Sequence, residues 1–453
     1  MTTARIDRMQ EQKYCDLDNS VFTGEGMRAS AMSHFSTLST GWSLVTLLSI
    51  ALVASAYYPL PEPESEFWSL EVVDSGSVDA DPLSDTSLLV DSGGNTHIVY
   101  VSVPSEASGL PSEVRYANNL GGFWDIEELG HKPRGHEHCD VSMVLDTADR
   151  PYLCYSNSTQ TNYSSRSTSG WTSGYLPSSN WTWNCAIGVD GEGRIHICYT
   201  DTVGWMESGL MYAVLTGHGW VETVLATESW MNSVALAVSP NGSFHVVYDS
   251  STMLMYCSGQ VDSSGTATQM KTEEIGEGRE GLDPAIAIGA NDTIHVVYRR
   301  GAGSNGDIAC LAIRSGEVVN RDVIDGPECR DPDIAVYDGS QVLVSYVSFG
   351  SSQGRDHGPR LVCARLADRG LTKNVVAELE GDTLAFLSTS IDVDSQQVVH
   401  ISCWSGALWY AKGQVVSPDE NDVTLLVAIA VGAVAVSAGL AALYVLKIRQ
   451  RRL

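Results

Sequence analysis

The sequence predicts an all-β fold, a seven-bladed β-propeller of four-stranded blades, followed by a C-terminal transmembrane helix. Three observations carry this. A phrase of about ten residues (apolar strand, turn, His, apolar pair, Tyr) returns seven times at intervals of about 50 residues. Inside each copy the apolar residues alternate with a period of two, the period of strands. A strand-like segment, Phe67 to Val73, stands alone before the first copy, and the last copy ends one strand short.

Taken in chain order, residues 1–41 are an N-terminal extension and 42–56 an apolar run closing on Ala54-Ser55-Ala56, the small-residue pattern of a signal cleavage site. Met27-Arg28 is a more ordinary start for such a segment. If cleaved, the run is a signal peptide; if uncleaved, it is a signal anchor and the chain crosses the membrane twice. Residues 66–413 are the propeller. The clearest copies run from Ile187 through Asp190 and His196 to Tyr199, from Leu236 through Gly242 and His245 to Tyr248, and from Ile286 through Asp292 and His295 to Tyr298. Weaker copies carry His97 with Tyr100, Asp146 with Tyr155, Ile334 with Tyr346, and Asp394 with His400. Each unit reads as a first strand before the turn and a second from His to Tyr. A third follows, as in Leu210-Met211-Tyr212-Ala213, and a fourth often opens on Trp (Trp124, Trp171, Trp220). The seventh unit stops after Tyr410-Ala411, so Phe67–Val73 is expected to supply its fourth strand and close the ring, which removes free sheet edges.

Residues 414–423 are a short linker. Thr424 to Leu446 carry no charge and precede Lys447, Arg449, Arg451 and Arg452, so 424–446 reads as a transmembrane helix and 447–453 as a basic cytoplasmic tail. This predicts a plasma-membrane protein with its propeller outside the cell.

These repeats resemble the seven-bladed and sialidase-like propellers, a group of lectins, glycan-processing enzymes and surface proteins. The resemblance covers about residues 66–413 and implies fold more than activity. The sialidase Asp box, Ser-x-Asp-x-Gly-x-x-Trp between third and fourth strands, is missing; here Asp and Gly lie between the first and second. The Arg-Ile-Pro type of motif is missing too, which argues against sialidase activity.

Composition narrows the partners. The 453-residue chain is 43% hydrophobic and 18% charged, with net charge −28; only five Asp or Glu precede Tyr57 and none follows Val423. So acidic a domain is unsuited to nucleic acid or anionic lipid. Six lysines in the whole chain suit a high-salt or divalent-cation setting, although a solvated acidic surface kept soluble by repulsion is the plainer reading. Of ten cysteines, Cys15 precedes the apolar run and leaves an odd nine, so no disulfide is assigned.

The repeated histidines (His97, His196, His245, His295, His400) are not expected to form a metal ring, since equivalent atoms of neighbouring blades stand roughly 10 Å apart on second strands. Bonds to a turn or between blades suit them better, and blade packing suits the repeated tyrosines. A second series opens each first strand: Asp85, Asp140, Asn184, Ser233, Asp283, Asp331 and Ser388. These should encircle one channel mouth, either capping turns or sharing a ligand or a cation such as calcium. No cofactor is otherwise required.

Loops on that face collect Trp181, Trp183, Trp205 and Trp230 with Arg279, Arg299, Arg300, Arg330 and Arg355. Aromatic rings stack on sugars and guanidinium pairs with carboxylate or sulfate, the chemistry of a glycan site. His136, His138 and Asp140 alternate along one extended segment, which reads first as a polar interblade loop and second as a partial metal shell; with His357, the two histidines are also candidate catalytic groups. The leading expectation is a membrane-tethered propeller binding a glycan or another extracellular protein. Alternatives are a glycosidase or polysaccharide lyase on the same face, and a structural envelope protein.

Overall fold

A computed structural model describes residues 68–75, 85–102, 112–132, 140–157, 159–177, 181–202, 207–251, 253–276, 282–301, 306–339, 341–349, 358–367, 370–379, 388–405 and 407–415. All belong to Glu64–Leu453, the second of two compact units; the first is Met1–Pro63. The expected signal segment 42–56 and membrane helix 424–446 lie outside the described residues. Among those described, no helix is long and apolar enough to cross a membrane.

The protein is a β-propeller. Thr86–Val90, Thr96–Ser102, Ser112–Asn118 and Asp125–Lys132 make the first antiparallel sheet. Val141–Leu145, Pro151–Ser156, Thr161–Ser167 and Gly170–Tyr175 make the second. Cys185–Val189, Ile195–Thr202, Ser208–Thr216 and Gly219–Glu228 make the third. Val234–Val238, Ser243–Ser250, Met253–Val261 and Ala267–Glu274 make the fourth. Next comes a seven-stranded sheet of Leu282–Ile288, Ile294–Arg300, Gly306–Arg314, Glu317–Tyr337, Gln341–Ser348, Arg360–Ala367 and Gly370–Glu378. Its long member, Glu317–Tyr337, pairs with Gly306–Arg314 up to Cys329 and with Gln341–Ser348 from Cys329 onward, so it is outermost in one set and innermost in the next.

The closing sheet joins Ser388–Val393, Val399–Trp404 and Leu408–Gly413 to the N-terminal strand Trp68–Asp74. Trp68 lies opposite Gly413 and Leu70 opposite Ala411. The displaced strand expected from the sequence therefore completes the last sheet.

Around the channel, the first strands touch in cyclic order: those beginning at Thr86, Val141, Cys185, Val234 and Leu282, then the end of Glu317–Tyr337, then Ser388–Val393, and back to Thr86. Each has one edge paired with its own second strand, which leaves alternate N–H groups on the other edge without a ladder partner. Side chains of the preceding first strand take these up. Ser388 and Ser390 Oγ and Asp392 Oδ2 accept from the N–H of Thr86, Leu88 and Val90 at 3.3, 3.0 and 2.8 Å. Ser87 accepts from Met143, Ser142 from Ile187, and Asp333 from Ile391 in the same way. The core lies between sheets; Tyr212 of the third packs on Phe244 of the fourth with centroids 4.3 Å apart among Cys198, Val246 and Cys257.

Turns between first and second strands, and between third and fourth, share one end of every sheet; we call it the turn face. Ser92 donates to Asp149, Gly191 N–H to Pro240 O and Ala290 N–H to Gly339 O, so turns of successive repeat units meet there. Three of the repeated histidines, His97, His196 and His400, are buried just inside. His196 Nε2 lies 3.1 Å from turn residue Asp190 and its Nδ1 2.7 Å from Tyr212 OH of the third strand. His97 and His400 repeat this with Asp91 and Tyr116, and with Asp394 and Tyr410. With Nε2–H donated to the carboxylate and Nδ1 accepting from the phenol, both ring nitrogens are satisfied by a neutral imidazole. Burial lowers the pKa of each of these histidines. All eight described cysteines are buried.

Candidate functional site at the loop face

The opposite end of the ring, the loop face, carries the strand-opening polar series. In the regular sheets this position adds one rung to the ladder: the carbonyls of Asp85, Asp140, Asn184 and Ser233 accept from Val101, Ser156, Thr200 and Asp249. Asp85 is further committed. Its Oδ1 accepts from Thr86 N–H and Ser388 Oγ at 2.8 and 2.7 Å, and its Oδ2 from Val141 N–H at 3.0 Å. Enclosure pushes its carboxyl up to about 6 despite these bonds. Asn184 is buried against Thr200. Here the series caps turns and bridges first strands. Among the described residues no group of three His, Cys, Asp or Glu is disposed to hold a metal ion.

Asp283 and Asp331 break the pattern. Both adopt left-handed backbone, φ 51° and 49°, and the pairing register slips beside each, between Leu282 and Ala285 and between Arg330 and Asp333. A bulge of this kind re-aims a side chain. Arg299 Nε donates to Asp283 Oδ2 at 2.9 Å, while the Arg330 guanidinium lies 5.3 Å over the Phe349 ring. Enclosure, with the Asp283 charge adding to it, raises the Asp331 carboxyl well above the usual range; Arg299 and Arg330 pull against this. Asp283, Arg299, Arg330 and Asp331 therefore form one electrostatic group. Arg300 turns instead to Asp307 at 2.7 Å.

Two indoles are exposed on this face but fixed at the backbone. Trp181, 51% exposed, has φ 57°, a conformation uncommon for a bulky residue; its N–H donates to Thr159 O at 3.1 Å and its carbonyl accepts from Thr202 Oγ1 at 3.2 Å. Trp230, 62% exposed, donates its indole N–H to the Asn232 side chain, and its carbonyl accepts from Ser251 N–H at 3.1 Å. Asn232 in turn donates to the buried Asp249 carboxylate through its backbone and side chain at 2.6 and 2.7 Å. Asp249 was not among the expected site residues. Its signal is a carboxylate directly after the buried Tyr248 of the repeat phrase. Exposed Tyr175, ending the fourth strand of the second sheet at this face, was also missed.

Trp183 is half-buried beside Trp181. His136, His138, Trp205, Arg279, Arg355 and His357 lie outside the described residues. Asp140 is described; its carbonyl accepts from Ser156 N–H and Cys185 Sγ.

No family model matches the chain, and no curated protein matches it. Solved structures are similar in fold. One is a protein of unknown function from Dyadobacter fermentans, 12% identical, covering 65% of this chain and 98% of that one, with TM-score 0.45. Another is a fungal lectin, the six-bladed β-propeller of Aleuria aurantia, 13% identical, covering 67% and 97%, with TM-score 0.42. A polysaccharide lyase is 7% identical, covering 80% and 92%, with TM-score 0.44. The class defined by the sheets themselves is that of a β-propeller.

Proposed function

We propose that this chain is a seven-bladed, sialidase-like propeller held at the plasma membrane, which binds a glycan or another extracellular partner through its loop face. Dividing Glu317–Tyr337 between two blades supports the count of seven. One observation carries the binding role: Trp181 and Trp230 hold apolar rings in water on a backbone that neighbouring polar groups immobilise. Aromatic faces fixed in this way stack on the C–H face of a sugar with little ordering cost. The Asp283–Arg299 pair and Arg330 supply hydroxyl and carboxylate partners on the same face. A glycan array probed with the full chain in detergent tests this. Specific binding that Trp230→Ala weakens about tenfold supports it; binding unaffected by replacing Trp181 and Trp230 overturns the site.

A second reading, a glycosidase or lyase, draws on Asp331, a carboxyl kept protonated beyond the usual range beside Asp283 and two arginines. Turnover of acidic polysaccharides that Asp331→Asn abolishes would favour it. No product from a broad panel would remove it.

A further inference from the structure

The ring leaves its two chain ends at one corner. Trp68 and Gly413 are paired, and Gly413 also lies opposite Val399, just after the Asp394 turn, so both ends emerge on the turn face. That face carries a second, independent feature. Phe123 and Leu120, in the turn between the third and fourth strands of the first sheet, are 70% and 53% exposed. This turn adjoins the exit point, because Trp124 packs edge-on against Tyr410 of the closing sheet at 5.1 Å.

We propose that a lipid bilayer lies against the turn face, with Leu120 and Phe123 at its surface, so that the loop face points away from the membrane. This rests on the membrane-tethered reading above. Only eight residues separate Val415 from Thr424, a reach of at most about 28 Å. Presenting the loop face instead would send that linker back along the blade, about 20 Å for a six-residue strand, and consume most of it. Leu and Phe side chains fit the boundary between headgroups and acyl chains. The acidic domain makes a zwitterionic surface the better match.

The test uses the full chain with Cys15 and Cys139 replaced by Ser, the other eight cysteines being buried. A dye is placed on Ser169→Cys (turn face) or Ser229→Cys (loop face), both exposed positions. The protein is reconstituted into phosphatidylcholine vesicles containing a headgroup-quencher lipid. Co-flotation with vesicles comes first, and its failure overturns the tethered reading itself. With co-flotation, severalfold stronger quenching at position 169 than at 229 is expected; equal or reversed quenching overturns the orientation. Leu120→Asp with Phe123→Asp should cut quenching at 169 at least threefold while co-flotation persists. Unchanged quenching would remove these two residues from the contact.

Discussion

Trp124 of the first sheet donates its indole N–H to Glu71 of the N-terminal strand at 3.0 Å, tying the last sheet to the first. The same arrangement joins the next pair, where Trp171 donates to Glu127 at 3.1 Å. In both cases the ring meets a third-strand tyrosine of the preceding sheet edge-on, Tyr410 or Tyr116, 5.1 or 5.0 Å away. Glu71 lies opposite Tyr410 and Glu127 opposite Tyr116, so carboxylate and phenol stand side by side as one receptor for the incoming indole.

Trp124→Phe is therefore expected to cost about 1 kcal/mol, the lost hydrogen bond alone. Trp124→Ala should cost about 3 kcal/mol by also removing the edge contact and packing. Urea denaturation of the full chain in detergent checks both.

At the third indole the receptor is incomplete. Trp220 meets Tyr163 at 5.0 Å, but Gly174 stands where Glu71 and Glu127 stand, and the buried Trp220 N–H has no acceptor among the described residues. A Cβ at Gly174 would lie 2.7 Å from the Tyr163 hydroxyl, so the tilted phenol requires glycine there. Trp220→Phe should accordingly be near neutral, within about 0.5 kcal/mol, in contrast to Trp124→Phe. The same denaturation series measures it.

How much of this was legible beforehand differs from element to element. The closing strand was readable because Phe67–Val73 stands alone before the first repeat and the last repeat lacks a fourth member. Its glutamate was not: a surface carboxylate gains its role only from register across two sheets. Similarly, Asp283 and Asp331 look like any other member of their series. Their left-handed backbone and slipped pairing arise from tertiary context, which a local pattern does not encode. Trp181 and Trp230 were readable as loop aromatics, but not their fixation through Thr159 and through Asn232 with Asp249.

The turn aspartates should dominate local stability. Asp190 Oδ1 accepts from Glu192 and Arg194 N–H, both at 2.9 Å, and Oδ2 from Arg194 Nε and His196. Although burial works the other way, these bonds hold its pKa below the usual carboxylate value. Asp190→Ala should cost about 3 kcal/mol. Ser239 takes the aspartate position in the fourth sheet, and there burial depresses His245 to about 4. Ser239→Asp should raise that pKa by more than about one unit, read by NMR titration of the imidazole.

Stability against pH should separate the channel carboxylates from the histidines. Enclosure raises Asp392, like Asp85, to about 6, so the folded protein holds protons that the unfolded chain releases near pH 4. Their contribution therefore falls as pH rises from about 4 to 6. The buried histidines act oppositely, costing stability as pH drops below about 6.5. Asp392→Asn removes one carboxylate and leaves the histidines unchanged. Relative to the parent it should gain about 2 kcal/mol between pH 4 and pH 7, measured as denaturation midpoints at each pH.

The pairing of Trp68 with Gly413 also governs how the domain responds to mechanical pull. Leu408–Gly413 is flanked on both sides, by Val399–Trp404 and Trp68–Asp74, and its chain leaves along the strand direction. Tension applied beyond Gly413 against anything gripped at the loop face therefore acts parallel to that strand, across hydrogen bonds perpendicular to it. Both ladders are sheared at once rather than peeled rung by rung, the arrangement in which a six-residue strand resists extraction best.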